Sequence, residues 1–508
     1  MSMTKKTIFA LVAVVLAFLI LETVARIVET TIIPSSPRDR RADGWQTALF
    51  RSFLDWHESD PDLLWRFRAG LDNPLIRTNS QHLLGDEIPP EKAPAEFRIL
   101  LLGDSSPVGL GLKSRKQAFG EILKAILEPE LLGNRTVRLI NAAVSGYTSE
   151  QIALFFELKG RTLDPDLVIV YCGNNDASVS GVAGDRELLA GQHLKSVRKT
   201  LSHLALYRLL RGIFASPAQP DSLDAAALSV RVSPERFGHN LNRLAESCRQ
   251  LSCPMIVIKP PVPVLWPAGL QFRLFTHLTD EQNQLIFPRP MARILGRPIK
   301  YCLHQGLFEH IYGHGDIFTR NVFGSAYTDS LAPDEAVAYY REQLIIQPDD
   351  PVTMNNLGVS FWQAGDRDSA DYYLKTARAA WATEWKTPNE PAVAAAGSPL
   401  LYNTGINLLG PIDSPETLTL DTTAACYLYL DSALQADFFS LRIKREYYRQ
   451  IDSLGTTDMV TVIDLPAHFA RAGGETLFID HCHPTFEGHL LIARILKDII
   501  LGRVISRP

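Results

Sequence analysis

The sequence predicts an α/β fold: a doubly wound, mostly parallel five-stranded sheet, interrupted by an inserted α-helical segment and preceded by an N-terminal hydrophobic helix. Three observations predict this fold. First, an apolar run at 97–102 ends at Gly103-Asp104-Ser105-Ser106, as expected of a parallel strand buried on both faces. Second, further apolar runs alternate with amphipathic helical patterns, which favours right-handed βαβ units. Third, this alternation stops after residue 261 and resumes near residue 443, so the sheet domain is predicted to consist of two pieces.

The strands and helices of the sheet domain are predicted from apolar periodicity and from turn residues. After the first strand, further strands are expected at 137–144, 166–172, 255–258 and 460–465. Helices are expected at 118–127, 196–213, 235–251, 443–454 and 488–500. Thr148 and Gln151 have the spacing of a capping box, which predicts another helix directly after the second strand.

Changes in composition and periodicity divide the chain into five predicted segments. These are a signal anchor or transmembrane helix at 1–33, a collar at 34–95, the N-terminal piece of the sheet domain at 96–270, a helical insertion at 271–436 and the C-terminal piece of the sheet domain at 437–508. The collar is rich in Pro, Asp and Arg, so we expect short strands there rather than an independent fold.

The N-terminus has the pattern of a secretory signal or a signal anchor. Lys5 and Lys6 precede an uncharged run at 7–21, which is short for a membrane span and suits a signal sequence. The only small-residue cleavage pattern, Thr23-Val24-Ala25, is weak, and helical periodicity continues through it. The sequence therefore favours an uncleaved anchor with the body on the extracytoplasmic (periplasmic) side, and a cleaved secreted form remains the alternative.

Composition narrows the classes of partner. The 508 residues are 46% hydrophobic and 21% charged, which is typical of a folded protein with two or three domains. The net charge is −5, and no basic run with interleaved aromatic residues occurs, so no nucleic-acid partner is predicted.

Cysteine and histidine patterns do not define a metal site. Six cysteines occur without a CxxC pair. Cys248 and Cys253 would be able to pair in an oxidising compartment, although buried thiols are more usual. Another group of potential ligands lies at Cys302, His304, His310, His314 and Asp316. Third and fourth ligands are not defined there and no HExxH motif occurs, so neither a metal nor a cofactor is predicted.

The helical insertion contains a repeat-like pattern at about 333–382. The 34-residue offset between Ala336 and Ala370, together with Leu357-Gly358 and Phe361, is typical of a tetratricopeptide (TPR) repeat. Only one and a half repeats are visible. A unit this short cannot bury its apolar face alone, so we expect it to pack on the α/β body or on helices within 400–436.

Groups suited to acyl transfer follow the predicted strands. Ser105 is a candidate nucleophile, which needs a histidine as base and a carboxylate to orient that histidine. Asp480 and His483 are three residues apart, which would place both on one face of a helical turn. The backbone N–H groups of Ser105 and Gly146 and the side-chain amide of Asn175 are candidate donors to an oxyanion.

Each of these residues also has a structural alternative. Ser105 would serve as a helix N-cap, Asn175 and Asp176 as turn formers, and His483 as a structural histidine. The remaining histidines of this region are interpreted as structural; they are His468, His481 and His489.

Four sequence blocks together resemble those of the SGNH (GDSL) hydrolase superfamily. They are GDSS at 103–106, Gly146 within AVSGYTS, GNND at 173–176 and DHCH at 480–483. The resemblance implies Ser105 as nucleophile, His483 as general base, Asp480 as its orienting acid, and Gly146 and Asn175 as oxyanion donors. It covers about 61–263 and 437–493, and the leader and helical insertion resemble a bacterial membrane-associated type with a TPR-like insertion.

Two positions depart from the pattern of that superfamily. Pro107 stands where a threonine is frequent in the first block, which bears on the loop after the nucleophile. His82-Leu83-Leu84 replaces a glycine and an arginine that often follow a TNS stretch, which bears on the collar.

The resemblance implies a serine esterase that cleaves O-acyl esters, most simply acetyl groups on an extracytoplasmic carbohydrate. Alternatives are an O-acetyltransferase that uses the same acyl-enzyme, and a TPR scaffold with a vestigial esterase site. An α/β-hydrolase is disfavoured because no G-x-S-x-G motif occurs, and the DHxC-like string at 480–483 lacks the zinc cysteines of a palmitoyl transferase. Expected partners are a membrane, through the N-terminal helix, an acylated carbohydrate or other ester, and a protein at the TPR-like segment.

Overall fold

The computed structural model describes residues 22–23, 26, 56–130, 136–181, 184–190, 229–266, 332–346, 348–384, 391–410, 420–437 and 441–505. The chain forms two compact units, Met1–Trp65 with Glu187–Ser222 and Arg66–Arg186 with Leu223–Pro508. The predicted anchor, the helix at 196–213 and the candidate ligands at 302–316 lie outside the described residues, apart from Glu22, Thr23 and Arg26. Within the described ranges, no helix is both long enough and apolar enough to cross a membrane.

A two-stranded sheet is formed by β1 (His57–Asp60) and β2 (Leu64–Phe67), of which β1 and the first two residues of β2 belong to the first unit. Oδ1 of Asp60 accepts hydrogen bonds from the N–H groups of Asp62 and Leu63, both at 2.9 Å, and so closes the turn between the strands. Short strands are thus present in the predicted collar.

The second unit contains the main sheet. Its strands in chain order are β3 (Glu96–Gly103), β4 (Thr136–Asn141), β5 (Leu167–Tyr171), β8 (Met255–Ile258) and β9 (Val460–Ile463). Two further strands, β6 (Val179–Gly181) and β7 (Ser229–Val230), form a small separate pair. The main sheet has the order β4-β3-β5-β8-β9, and all its neighbours are parallel. The predicted five-stranded parallel sheet is confirmed, and the first strand lies at the point where the strand order reverses. Ligand sites of open α/β sheets occur at this point, beyond the carboxyl ends of the strands.

Helices cover both faces of this sheet. Those of the α/β region are α1 (Ser105–Val108), α2 (Phe119–Leu127), α3 (Ser149–Leu158), α4 (Asp185–Ala190) and α5 (Pro234–Gln250). Gly120 of α2 lies against Leu101, whereas Gly160, just after α3, lies against Leu100. Successive residues of a strand point to opposite faces, so α2 and α3 lie on opposite sides of the sheet. This is the doubly wound arrangement.

The described parts of the predicted helical insertion consist of helices joined by short turns. Its helices are α6 (Pro333–Ile346), α7 (Pro351–Gln363), α8 (Arg367–Glu384), α9 (Pro391–Leu409) and α10 (Ala425–Ala436). Each packs on the next in chain order. A Cβ on Gly358 would lie 2.8 Å from Cγ of Leu374, so the glycine permits the close approach of α7 and α8. The assignment of these helices to a TPR repeat stays a prediction.

The chain then returns to the sheet domain. Its last helices are α11 (Arg445–Ser453), α12 (Leu465–Ala472) and α13 (Phe486–Ile505). α13 packs on α2, and α11 packs on α5, so the C-terminal piece of the sheet domain completes both layers of the N-terminal piece. The five described cysteines are free thiols, so Cys248 and Cys253 do not form a disulfide.

Candidate active site

Ser105 lies directly beyond the carboxyl end of β3, as the first residue of α1. Asp104 is the N-cap of this short helix, because its Oδ1 accepts the N–H of Ser106 at 2.9 Å. The N-cap alternative for Ser105 is therefore wrong. A Cβ on Gly103 would lie 2.6 Å from Cγ of Pro107 and 2.6 Å from the carbonyl oxygen of Tyr171, so only glycine fits this tight turn. Pro107, the departure noted in the first block, packs against that glycine.

His483 and Asp480 lie in a loop that a bridge between Phe478 and Pro484 closes. The prediction of one helical turn is wrong. Oδ1 of Asp480 instead accepts the backbone N–H groups of Cys482 and His483, both at 2.9 Å, so the carboxylate itself folds the loop around the histidine. The spacing of three residues still brings the two side chains together, through a side-chain-capped turn rather than a helix.

Ser105, His483 and Asp480 form a continuous hydrogen-bonded chain. Nε2 of His483 lies 2.7 Å from Oγ of Ser105, and Nδ1 of His483 lies 2.7 Å from Oδ2 of Asp480. A carboxylate can only accept, so Nδ1 carries a proton, and in the neutral form of His483 Nε2 is the acceptor for the Ser105 hydroxyl. This arrangement suits a serine nucleophile with its general base and orienting acid.

The electrostatics of the pair favour the protonated form of His483. Burial acts to lower the pKa of His483, but the Asp480 carboxylate outweighs it and holds this pKa well above the ordinary histidine value. Burial likewise acts to raise the pKa of Asp480, and the charge of His483 outweighs it, so the carboxyl stays ionised. Asp480 therefore stabilises the imidazolium that forms when His483 takes a proton.

The two candidate oxyanion donors outside α1 lie in the loops after the strands that flank β3. Gly146 follows β4 with φ of +82°, a value that favours glycine, and Asn175 follows β5. The Asn175 amide donates one hydrogen bond to the carbonyl oxygen of Tyr147 at 3.1 Å, so the two loops are joined directly. The second N–H of that amide is the one available to a bound oxyanion.

The neighbours of Asn175 in the GNND block are structural. Oδ1 of Asn174 accepts the N–H of Ile443 at 2.9 Å, and Oδ1 of Asp176 accepts both the N–H and the hydroxyl of Ser149 at the start of α3. Burial raises the pKa of Asp176 to about 7. Asp176 therefore ties the loop that presents Asn175 to the start of α3.

Two of the histidines interpreted as structural, His481 and His489, are buried. Nδ1 of His489 accepts the N–H of Phe119, the first residue of α2, at 3.1 Å, and so caps a helix whose N-cap, Ala118, has no polar side chain. Burial lowers the pKa of His489 to about 3 and that of His481 to about 4, so both are neutral near pH 7.

One cluster of potential metal ligands adjoins the triad. Donor atoms of Asp480, His481 and Cys482 lie within 4.8 Å of one another. Both carboxylate oxygens of Asp480 already accept hydrogen bonds, and burial raises the pKa of the Cys482 thiol to about 11. The cluster therefore fits the triad better than it fits a metal ion.

The sequence profile of the GDSL-like lipase/acylhydrolase family matches residues 101–286. No curated protein matches the chain. Among solved structures, TesA aligns at 20% identity over 33% of this chain and 62% of its own, less than two thirds of its length, with a TM-score of 0.21. AlinE4, an SGNH-hydrolase family esterase, aligns at 19% identity over 40% of this chain and 73% of its own, with a TM-score of 0.20. LAE5, an alpha/beta hydrolase enzyme from the metagenome of Lake Arreo, aligns at 18% identity over 47% of this chain and 95% of its own, with a TM-score of 0.21.

The family match covers three of the four blocks, since Ser105, Gly146 and Asn175 lie within residues 101–286. The fourth block lies outside it, and there the geometry supplies the link, because His483 contacts Ser105. Residues 101–286, more than a third of the chain, are therefore similar to the GDSL-like lipase/acylhydrolase family.

Proposed function

We propose that this protein is a serine esterase that removes a small O-acyl group, most simply acetyl, from a carbohydrate outside the cytoplasm. The observation that carries the proposal is the hydrogen-bonded chain from Ser105 through His483 to Asp480, with both links at 2.7 Å. The carbohydrate, the acetyl group and the membrane anchor at 1–33 rest on the sequence resemblance.

In the proposed reaction, Oγ of Ser105 attacks the ester carbonyl while Nε2 of His483 takes the hydroxyl proton. The backbone N–H groups of Ser105 and Gly146 and the Asn175 amide would stabilise the tetrahedral oxyanion. His483 then returns the proton to the leaving sugar oxygen, and an acyl-Ser105 intermediate remains. Water, deprotonated by His483, attacks that intermediate and releases the acid.

Low exposure of the reacting groups supports a small acyl group. Ser105 is 9% exposed and His483 is 6% exposed, so little room surrounds the reacting hydroxyl.

Hydrolysis of p-nitrophenyl acetate, butyrate and octanoate tests this proposal. We expect the highest kcat/KM for acetate. Ser105→Ala should lose all activity, whereas Ser106→Ala should retain it, because the Ser106 hydroxyl donates to the carbonyl of Cys482 at 3.5 Å instead of to His483. Acetate hydrolysis no faster in the wild type than in Ser105→Ala would contradict the proposal.

An O-acetylated oligosaccharide separates hydrolysis from transfer. Release of free acetate supports the esterase. Movement of acetyl to a second sugar, without net acetate release, would assign the same acyl-enzyme to an O-acetyltransferase.

A further inference from the structure

Arg231 makes a set of contacts beside the candidate oxyanion donors. Its Nη1 donates to the carbonyl oxygen of Gly146 at 2.8 Å. Its Nε and Nη2 donate to the two carboxylate oxygens of Asp185 at 3.0 and 2.7 Å, a bidentate pair. Arg231 follows β7 and Asp185 begins α4, so both belong to segments that lie outside the four sequence blocks.

The contact with Arg231 fixes the peptide that follows Gly146. The carbonyl of this peptide accepts from Arg231, and its N–H, which belongs to Tyr147, donates to the carbonyl of Val144 at 3.1 Å. Both ends of this peptide are therefore held, and it directly follows the Gly146 N–H at a residue with φ of +82°. Because Asn175 donates to the carbonyl of Tyr147, the same short turn also holds the second donor.

We propose that Arg231, held by Asp185, is a positioning residue that aligns Gly146 and Asn175 for the oxyanion of the reaction. The inference rests on the proposed function and deepens it by adding the group that orients the oxyanion donors. Arg231 acts through the Gly146–Tyr147 turn and does not itself contact the reacting atoms.

The surroundings favour an effect on position over an effect of charge. The side chain of Arg231 is 15% exposed and that of Asp185 is 2% exposed, and their charges are paired. Asp185 is itself fixed, since its Oδ2 accepts the hydroxyl of Thr148, the N-cap of α3, at 2.9 Å. A planar guanidinium bound at both edges holds a peptide more rigidly than a single ammonium donor.

The test compares Arg231→Met with wild type in kcat and KM for p-nitrophenyl acetate. It also measures inhibition by a trifluoromethyl ketone, whose adduct with Ser105 carries a negative oxygen. We expect kcat to fall about 10- to 100-fold with KM unchanged, somewhat less than the loss of a whole oxyanion donor. The inhibition constant should rise by the same factor by which kcat/KM falls, because both report binding of the oxyanion.

Arg236→Met is the matched control. Arg236 forms a similarly buried bidentate pair with Glu150, and that pair joins α5 to α3. We expect this variant to lose stability and to keep kcat and the inhibition constant. Equal values of both quantities in Arg231→Met and Arg236→Met would overturn the inference.

Two further variants keep the test decisive if Arg231→Met does not fold. Arg231→Lys retains one donor without the fork, and Asp185→Asn retains the shape of the carboxylate while weakening its hold on Arg231. Both should show smaller losses of kcat that again parallel weaker inhibition, and unchanged kinetics in both folded variants would refute the role of Arg231. A wild type inert toward the ester and the ketone would instead contradict the proposed function itself.

Discussion

Nε2 of His483 lies 2.7 Å from Oγ of Ser105, although 378 positions separate the two residues in the chain. The two residues come from the separate pieces of the sheet domain, on either side of the helical insertion. Correct closure of the sheet therefore creates the reactive pair, and we expect folding and activity to be lost together.

Asp480→Asn should change both the rate and the pH profile. The Asp480 carboxylate raises the pKa of His483, and the base must be neutral to act, so activity rises as the pH passes upward through this pKa. Without the charge, burial lowers that pKa, and the rising limb should move to lower pH while kcat falls about 10²- to 10⁴-fold. Profiles of kcat/KM from pH 4 to 10 measure this, and an unmoved limb would contradict the assignment of Asp480.

Asp176→Asn should remove a pH dependence of stability. Burial raises the pKa of Asp176 from 3.8 to about 7, so the folded state binds this proton more tightly than the unfolded chain does. The associated stabilisation is present below pH 3.8 and is lost as the pH rises toward 7. Asn keeps an oxygen for Ser149 and has no charge. The free energy of unfolding of the variant should therefore increase relative to that of the wild type between pH 5 and pH 8, by up to about 1.4 kcal/mol for each pH unit below the Asp176 pKa. Urea unfolding at both pH values checks this, and a constant difference would argue against the raised pKa.

Gly173→Ala should displace the GNND loop. Gly173 has φ of +131°, and a Cβ there would lie 2.4 Å from Cδ1 of Ile443. We expect a loss of about 1–3 kcal/mol in the free energy of unfolding and a lower kcat, because Asn175 moves with the loop. Gly455→Ala is the control, since its φ is +63° with no atom within 4 Å of the added Cβ. Adding Ile443→Val removes Cδ1 and should restore some of the lost stability; no restoration would locate the strain elsewhere.

Tyr402→Phe should weaken the attachment of the insertion to the sheet domain. The Tyr402 hydroxyl of α9 donates to the buried carbonyl of Leu265 at 2.6 Å, in the segment after β8. Trp266, the next residue, lies 5.6 Å from His481 between ring centroids, so this segment adjoins the triad loop. We expect the free energy of unfolding, measured by thermal or urea denaturation, to fall by about 1–3 kcal/mol. Tyr372→Phe, at a 62% exposed position of α8, should have no effect, and equal stability of the two variants would refute the attachment.

Features encoded within short stretches could be predicted from the sequence. The apolar run before Ser105 and the three-residue spacing of Asp480 and His483 are local, so they indicated the end of the strand and the pairing of the side chains. The conformation of the DHCH loop was predicted wrongly, because spacing alone does not distinguish a helical turn from a loop that Asp480 caps with its own carboxylate.

Contacts over long sequence distances could not be predicted. Arg231 reaches Gly146 across 85 positions, and His489 caps α2 across 370 positions. Neither residue belongs to a motif, and a lone arginine or histidine is compatible with many roles. Only the folded arrangement of the sheet brings these partners together.

Labelling with a fluorophosphonate, followed by mass spectrometry of the adduct, tests the central claim most directly. The account predicts a single adduct on Ser105 in the wild type and in Ser106→Ala, no adduct in Ser105→Ala, and labelling slowed about 10²-fold or more in His483→Ala. Equal labelling of the wild type, Ser105→Ala and His483→Ala would contradict the assignment of Ser105 as the nucleophile and His483 as its base.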